Sequence, residues 1–237
     1  LSGKSLDAFV PSIKTYKNQM EKYQSQYKQD EYLDKKIFKE KVGGVFVDIG
    51  AHDGITLSNT YFFEKFREWK GLCIEPVPST FKKLSANRNS ININGCIGSG
   101  TGNLKFLQIS GYAEMLSGLL DHYDEKHLER IDKDIREHGG SREIIEVPGY
   151  NLNELLKSNG IAHVDYCSID TEGNEMEILK TIRFDEVIFD VFTIENNYAT
   201  SELKNFMEAN GYRLIQKLGC DEVYQRRNEK KTWQFWK

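Results

Sequence analysis

Acidic residues recur where apolar runs end. VFVDIGAHDG (45–54) alternates through Val45, Phe46 and Val47 to Asp48, then turns at Gly50 and Gly54, which bracket Ala51, His52 and Asp53. GLCIEP (71–76) closes on Glu75 and Pro76, VDYCSID (164–170) on Asp170 with Glu172 soon after, and EVIFDVFTIENN (186–197) on Glu195 and Asn196. If these runs are neighbouring parallel strands, the carboxylates meet at the carboxyl edge, where open α/β sheets hold ligands. Such a set can pair with a cationic ligand, accept from ribose hydroxyls, or take a proton from a hydroxyl as general base. For the acids of residues 170–175 the competing reading is a decorated helix N-terminus.

Positioning them calls for strands and helices in alternation. LSNTYFFEKFREW (57–69) places Leu57, Tyr61, Phe62, Phe66 and Trp69 at helical spacing, so the first unit reads strand, glycine turn, helix. The turn lets backbone approach a ligand, and the helix start behind it is expected to offer free amides. A strand over 71–76, a helix opened by Pro78, and a third strand over 93–98 follow. Residues 99–163 exceed an ordinary crossover and read as an insertion. Within it GNLKFLQI and REIIEVPG pair antiparallel, a helix puts Leu128, Ile131 and Ile135 on one face, and NLNELLKSNG forms a short helix opened by Asn151. Strands at 164–169 and 186–197, a helix over 200–210 and a hairpin around Gly219 complete an α/β fold, a mostly parallel seven-stranded sheet with helices on both faces. Residues 1–40 read as an N-terminal helical cap, with one helix from Phe9, Ile13, Tyr16, Met20 and Tyr23 and another over 25–38; residues 41–237 read as the main domain.

The 237 residues hold 32 basic and 36 acidic side chains, a formal charge of −4, so nucleic acid is a disfavoured partner. The basic stretches near 14–41 and 226–237 read as solvated ends. No run approaches the ~20 apolar residues of a membrane span, and the N-terminus lacks a signal-peptide pattern. Cys73, Cys96, Cys167 and Cys220 are too scattered for a zinc site or a secreted disulfide framework, and read as reduced thiols of a cytoplasmic protein. His122, His127 and His138 lack the spacing of a helical metal pair. The chain opens on Leu1 rather than Met, so it reads as a piece of a longer polypeptide.

The glycine turn is neither GxGxxG nor GxxxxGK[ST], which disfavours a nucleotide-binding oxidoreductase and a phosphate loop. Its D-x-G-x-x-x-G spacing is similar to that of S-adenosylmethionine-dependent methyltransferases, whose ligand carries cationic amino and sulfonium groups and no pyrophosphate. Glu75 lies 27 positions after Asp48, near the distance at which a doubly wound fold places the carboxylate that binds ribose hydroxyls. Together SQYKQDEYL, VDIGAHDGITLSNTYFFEK, GLCIEPVPSTF, MLSGLLD and SIDTEGNEMEIL resemble the FkbM family of methyltransferases over about residues 25–226.

The resemblance implies a Rossmann-like class I methyltransferase fold, S-adenosylmethionine as donor, and a sugar or glycan hydroxyl as acceptor, with Gln26, Gln29 and Asp30 near the active site. On that footing Asp48, Gly50, Ala51, Asp53 and Gly54 hold the donor, Glu75 takes its ribose, and Pro76, Cys96, Ile97 and Asp170 complete the donor site. Asp170 or Glu172 is the candidate base, Glu195 a third carboxylate and His52 an alternative. Tyr112, Met115, Ser117, Gly118 and Asn196 are candidate acceptor contacts. A divalent cation on Asp170, Glu172 and Glu195 is the competing way to acidify the hydroxyl. Methylation of RNA or another small-molecule hydroxyl, and a binding module without catalysis, are the rival functions; the segment after the fourth strand reads DTEG, not the [DN]-P-P-[YFW] of amino-methylating enzymes.

Overall fold

Val45–Ile49 (β1) forms a strand covered on both faces, and its pleat sends Phe46 into one layer and Val47 and Ile49 into the other. The computed structural model describes residues 22–98, 101–123, 125–197 and 199–227. The helix expected from Phe9, Ile13, Tyr16 and Met20 lies outside them. Before β1, Gln29–Tyr32 (α1) runs on into a π-helical turn, Leu33–Ile37. After it come Tyr61–Arg67 (α2), Lys70–Glu75 (β2), Pro78–Asn87 (α3) and Ile91–Asn94 (β3). The helix at 57–69 is shorter than its periodicity suggested. Leu57 instead bridges Ser25, and the Ser58 hydroxyl accepts from the Thr60 and Tyr61 amides at 3.3 and 3.1 Å.

The chain then leaves this sheet. The strand expected over 93–98 divides at Gly95, where a Cβ would stand 2.4 Å from the Pro148 carbonyl oxygen. Cys96–Ile97 (β4), Gly102–Gly111 (β5), Gly118–Leu119 (β6) and Gly140–Tyr150 (β7) form a second sheet in the order β4-β7-β5-β6. β5 and β7 pair antiparallel from Gly102↔Gly149 to Gly111↔Gly140. Glu125–His138 (α4) covers this sheet, with Ile131, Leu128 and Ile135 packed with Leu107 and Ile109.

Leu152–Ser158 (α5) returns to the main body, its Asn151 cap accepting from the Glu154 amide at 3.2 Å. His163–Ile169 (β8), Glu175–Thr181 (α6), Ile188–Glu195 (β9), Ser201–Ala209 (α7), Tyr212–Leu218 (β10) and Asp221–Arg226 (β11) complete it. The sheet runs β10-β11-β9-β8-β1-β2-β3, with only β11 antiparallel to its neighbours. This is the Rossmann-like class I methyltransferase topology, and the winding reverses between β1 and β8, the switch point where such sheets hold ligands. One layer packs Ile49, Ile74 and Ile169 with Leu156, Ile178, Leu179 and Met207; the other packs Phe46 and Tyr166 with Phe62, Phe63 and Trp69. Burying each such side chain contributes on the order of 1.5–3 kcal/mol, which fixes the strand tips rigidly. Among the described residues no helix is long and apolar enough to cross a membrane.

Candidate active site

The turn after β1 is clamped to both neighbouring strands. Gly50 has φ +88°, and its amide and that of Ala51 both donate to the Ile74 carbonyl at 3.0 Å. Across the switch point the Asp170 amide donates to the Ile49 carbonyl at 3.0 Å. The His52 amide donates to Glu75 Oε2 at 3.0 Å, while Glu75 Oε1 accepts from the Val77 amide at 2.8 Å. Burial pushes Glu75 up to about 7, against the pull of those two amides. Gly50, Ala51, Glu75, Pro76, Cys96 and Ile97 all line one cavity.

Asp53 and Gly54 do not reach it. Asp53 turns back into its own loop, where Oδ1 accepts from the Ile55 and Thr56 amides at 2.9 and 2.7 Å and Oδ2 from the Thr56 hydroxyl at 2.7 Å. Burial alone would raise this carboxyl, and the amide hydrogen bonds outweigh it and hold it below the usual range. Gly54 instead lets α3 approach, since a Cβ would stand 2.6 Å from Arg88 and 2.7 Å from Leu84. Nor does a helix start sit directly behind the turn, because α2 opens only at Tyr61.

Asp48 lines the cavity but is largely occupied. Its Oδ2 accepts from the Thr60 hydroxyl at 2.6 Å, with Arg88 Nη1 at 3.9 Å. Burial raises this carboxyl, and Arg88 and Thr60 offset only part of that. Arg88, buried at the end of α3, also donates to Glu64 at 2.6 Å and to the Gly54 carbonyl at 3.1 Å.

Beyond β8 and β9, Asp170, Glu172 and Glu195 bring one carboxylate oxygen each to within 4.8 Å of one another. Asp170 exposes surface yet is hemmed in by protein, because the surface it shows is cavity wall. Burial, then the Glu195 charge, drives its carboxyl well above the ordinary range. Burial lifts Glu172 and Glu195 to about 8 as well, each pushed further by its neighbours, first Asp170 for Glu172 and first Glu172 for Glu195. Glu172 holds φ +55°, strained for a residue with a Cβ. Glu175 turns away and ties the loop, accepting from the Thr171 amide at 2.9 Å and the Gly173 amide at 3.0 Å. His52 lines the cavity, 3.6 Å from Glu114 through Nε2, while Nδ1 makes no hydrogen bond and stands 3.8 Å from Asp53 Oδ1.

The second sheet walls the far side. Met115 and Ser117 face the cavity, Ser117 Oγ accepting from the Ile109 amide at 3.0 Å. Tyr112 does not; it is 70 % exposed and lies on His138 with ring centroids 4.2 Å apart. Gly118 makes room for Tyr123, whose hydroxyl would stand 2.6 Å from a Cβ. Asn196 closes the loop after β9 by bonding Thr200 through both ends of its amide. Gln26 and Gln29 line the wall, Gln29 Nε2 donating to Asp221 Oδ2 at 2.6 Å. Asp30 stands behind them, accepting from the Ser25 hydroxyl at 2.5 Å and the Gln24 amide at 2.7 Å.

Several wall residues were not singled out as site residues in the sequence. Asn59 and Asn174 are 7 % and 4 % exposed; their amide nitrogens donate to Ser168 Oγ and the Ile97 carbonyl, and each Oδ1 has no partner. Gln108, Cys220 and Asp221 also line the cavity. Asn59 and Asn174 fall inside the segments that carry the resemblance, but such a segment does not mark which of its polar side chains faces the cavity.

The chain matches the methyltransferase FkbM domain over residues 48–214. Its fold is similar to that of a methyltransferase FkbM from Methylobacillus flagellatus KT, with 13% identity over 80% of this chain and 46% of that one and a TM-score of 0.48. The chain thus spans about half of that protein's crystallised length. The N-terminal domain of human METTL16 gives 11% identity over 94% of this chain and 74% of that one, TM-score 0.43. Aeropyrum pernix fibrillarin, whose structure holds natively bound S-adenosyl-L-methionine, gives 12% identity over 86% and 74%, TM-score 0.43. No curated protein matches.

Proposed function

Because the chain belongs to the FkbM methyltransferase family, we propose that it transfers a methyl group from S-adenosylmethionine to a hydroxyl of a sugar or glycan. The observation that carries this reading is the convergence of Glu75, Asp170, Glu172 and Glu195, from the tips of three parallel strands, on one cavity at the switch point. The wall suits that donor, which brings hydrogen-bond donors: an ammonium, two ribose hydroxyls and an adenine amine. Glu75 has its carboxylate fixed by two amides and turned to the cavity, fit for the ribose diol. Cys96, Ile97 and Pro76 form an apolar strip for the adenine, with Asn174 Oδ1 beside it as a waiting acceptor. Asn59 Oδ1 waits likewise beside Ser168 on β8.

S-adenosylmethionine supplies an electrophilic methyl on a sulfonium. The chain's own part is to align an oxygen with it, keep water out and remove the proton. Asp170, Glu172 and Glu195 do the last of these; with carboxyls raised toward neutrality they are far better bases than ordinary carboxylates. With that donor bound, Glu75 and the Gly50 turn would hold it to supply its methyl to the acceptor oxygen, sulfur keeping the electron pair, and a carboxylate of the trio would take the hydroxyl proton. Unpaired cysteines support a reducing, cytoplasmic setting.

The 4.8 Å grouping of the three acids also favours a second reading of the same step, in which a divalent cation on them acidifies the hydroxyl. Calorimetric titration with S-adenosylhomocysteine tests the donor, and a methyl-transfer assay over glycans and RNAs tests the acceptor. Full activity after exhaustive chelation removes the cation. Absence of S-adenosylhomocysteine binding overturns the whole reading.

A further inference from the structure

The charge of the cavity wall bears on the acceptor as well as the donor. Seven carboxylates line it, including Asp221 at the start of β11 and Glu114 on the rim; among the described lining residues there is no lysine or arginine, and His52 is the one basic side chain. A second observation agrees. Asn59 and Asn174, both more than nine-tenths buried, leave Oδ1 without a partner, as Glu172 and Glu195 leave one oxygen each. Four unmet acceptors on one wall call for a ligand that brings donors. A phosphate or carboxylate brings more acceptors, and beside acids that must ionise to take the proton it adds a like charge in a site shielded from water, where repulsion is strong. Sites that take such anions offer the fork of an arginine or the charge of a lysine, and this wall offers neither.

We infer that the acceptor is a polyol with no anionic group beside the reacting hydroxyl, and that an amino sugar, its ammonium seated against the Glu172 and Glu195 oxygens, is preferred over acetylated and uronic counterparts. The inference rests on the methyl-transfer reading above and names the substrate class for that site. The ammonium has no lone pair, so it is held rather than methylated. The hydroxyl oxygen next to it attacks the methyl carbon, and its proton goes to the remaining carboxylate of the trio.

The test uses three β-1,4-linked oligomers of equal length, of glucosamine, N-acetylglucosamine and glucuronic acid, each with saturating S-adenosylmethionine at neutral pH. Release of S-adenosylhomocysteine is followed. The amine oligomer is expected to exceed the uronate in kcat/KM by at least about tenfold, with the acetylated one between. Glu114, half-exposed on the rim, allows an independent check. Glu114→Lys should shrink the amine-to-uronate ratio several-fold, a ratio from which any change in donor affinity drops out at saturating S-adenosylmethionine. A uronate turned over as fast as the amine, or a ratio unmoved by Glu114→Lys, overturns the inference while methyl transfer stands. Release from none of the three, with S-adenosylhomocysteine still bound, counts against the glycan reading itself.

Discussion

Gly50 faces Asp170 so closely that a Cβ on the glycine would stand 1.8 Å from the Asp170 carbonyl oxygen. That contact joins the turn after β1 to the loop after β8, so donor site and candidate base share one hinge of backbone. Gly50→Ala must move one of them and must also hold φ +88° with a side chain. A loss of about 3 kcal/mol is expected from overpacking and the disfavoured backbone together, with S-adenosylhomocysteine binding lost. Gly54→Ala meets Arg88 and Leu84 side chains instead; it should cost stability but spare more of the affinity. Urea unfolding and calorimetry on both variants check this, and equal affinities would undo the distinction.

The pH dependence follows from Glu172 and Glu195. Each carboxyl stands at about 8 against an ordinary 4.5, with Asp170, Glu175 and Asp221 adding to the repulsion and Arg130 easing it for Glu172. Turnover should rise by about tenfold per pH unit below neutrality and level off near pH 8, as the base loses its proton. Stability runs the other way. An acid raised in the folded state binds its proton more tightly there than when unfolded, so stability present below pH 4.5 drains away as pH climbs to about 8. Glu195→Gln is therefore expected to be more stable than the parent at pH 8 to 9, by about 1–3 kcal/mol, and much less active. Thermal melts across pH, paired with rates, read both signs.

What was legible in the chain was local. Asp48, Gly50, Glu75, Asp170 and Glu195 each close a hydrophobic run, so strand periodicity alone puts them at the carboxyl edge, and the sheet order then brings them to one cavity. Asp53 and Gly54 sit in the same motif, yet their roles are set by Thr56 and by Arg88 and Leu84 on α3. Nothing within the turn reveals which way its second half faces. The same holds for Tyr112 and Gly118, whose orientation depends on how α4 and Tyr123 pack against the second sheet. Asn59 and Asn174 lie inside the resembling segments yet give no sign of facing a cavity, since a lone asparagine in a loop ordinarily caps or turns.

Glu75 offers a test of the donor site that is separate from the base. Its two oxygens accept from the His52 and Val77 amides, so the side chain is fixed before any ligand arrives. Glu75→Gln keeps the size but replaces a charged acceptor, and S-adenosylhomocysteine affinity should fall by about ten- to a hundredfold, the worth of hydrogen bonds to a charged group. Glu75→Ala also strands two amides and should cost about 2 kcal/mol of stability besides. Unaltered affinity in Glu75→Gln would remove the ribose from this residue.

Arg88 gives the sharpest structural prediction. Its guanidinium is fully buried and bonds Glu64 and the Thr60 hydroxyl, with Asp48 at 3.9 Å. Arg88→Met fills much of the same volume while leaving Asp48 without its cation and Glu64 with Lys65, at 3.4 Å, as the remaining one. Breaking such a pair by removing one partner costs about 3–5 kcal/mol, enough to threaten folding in a domain of ordinary stability. Two measurements separate charge from packing. Arg88→Met should regain stability as pH falls and the acids take up protons, and the double variant Arg88→Met with Glu64→Gln should recover a good part of the loss at neutral pH. If neither restores stability, Arg88 matters through its contacts with α2 and the glycine loop rather than through its charge.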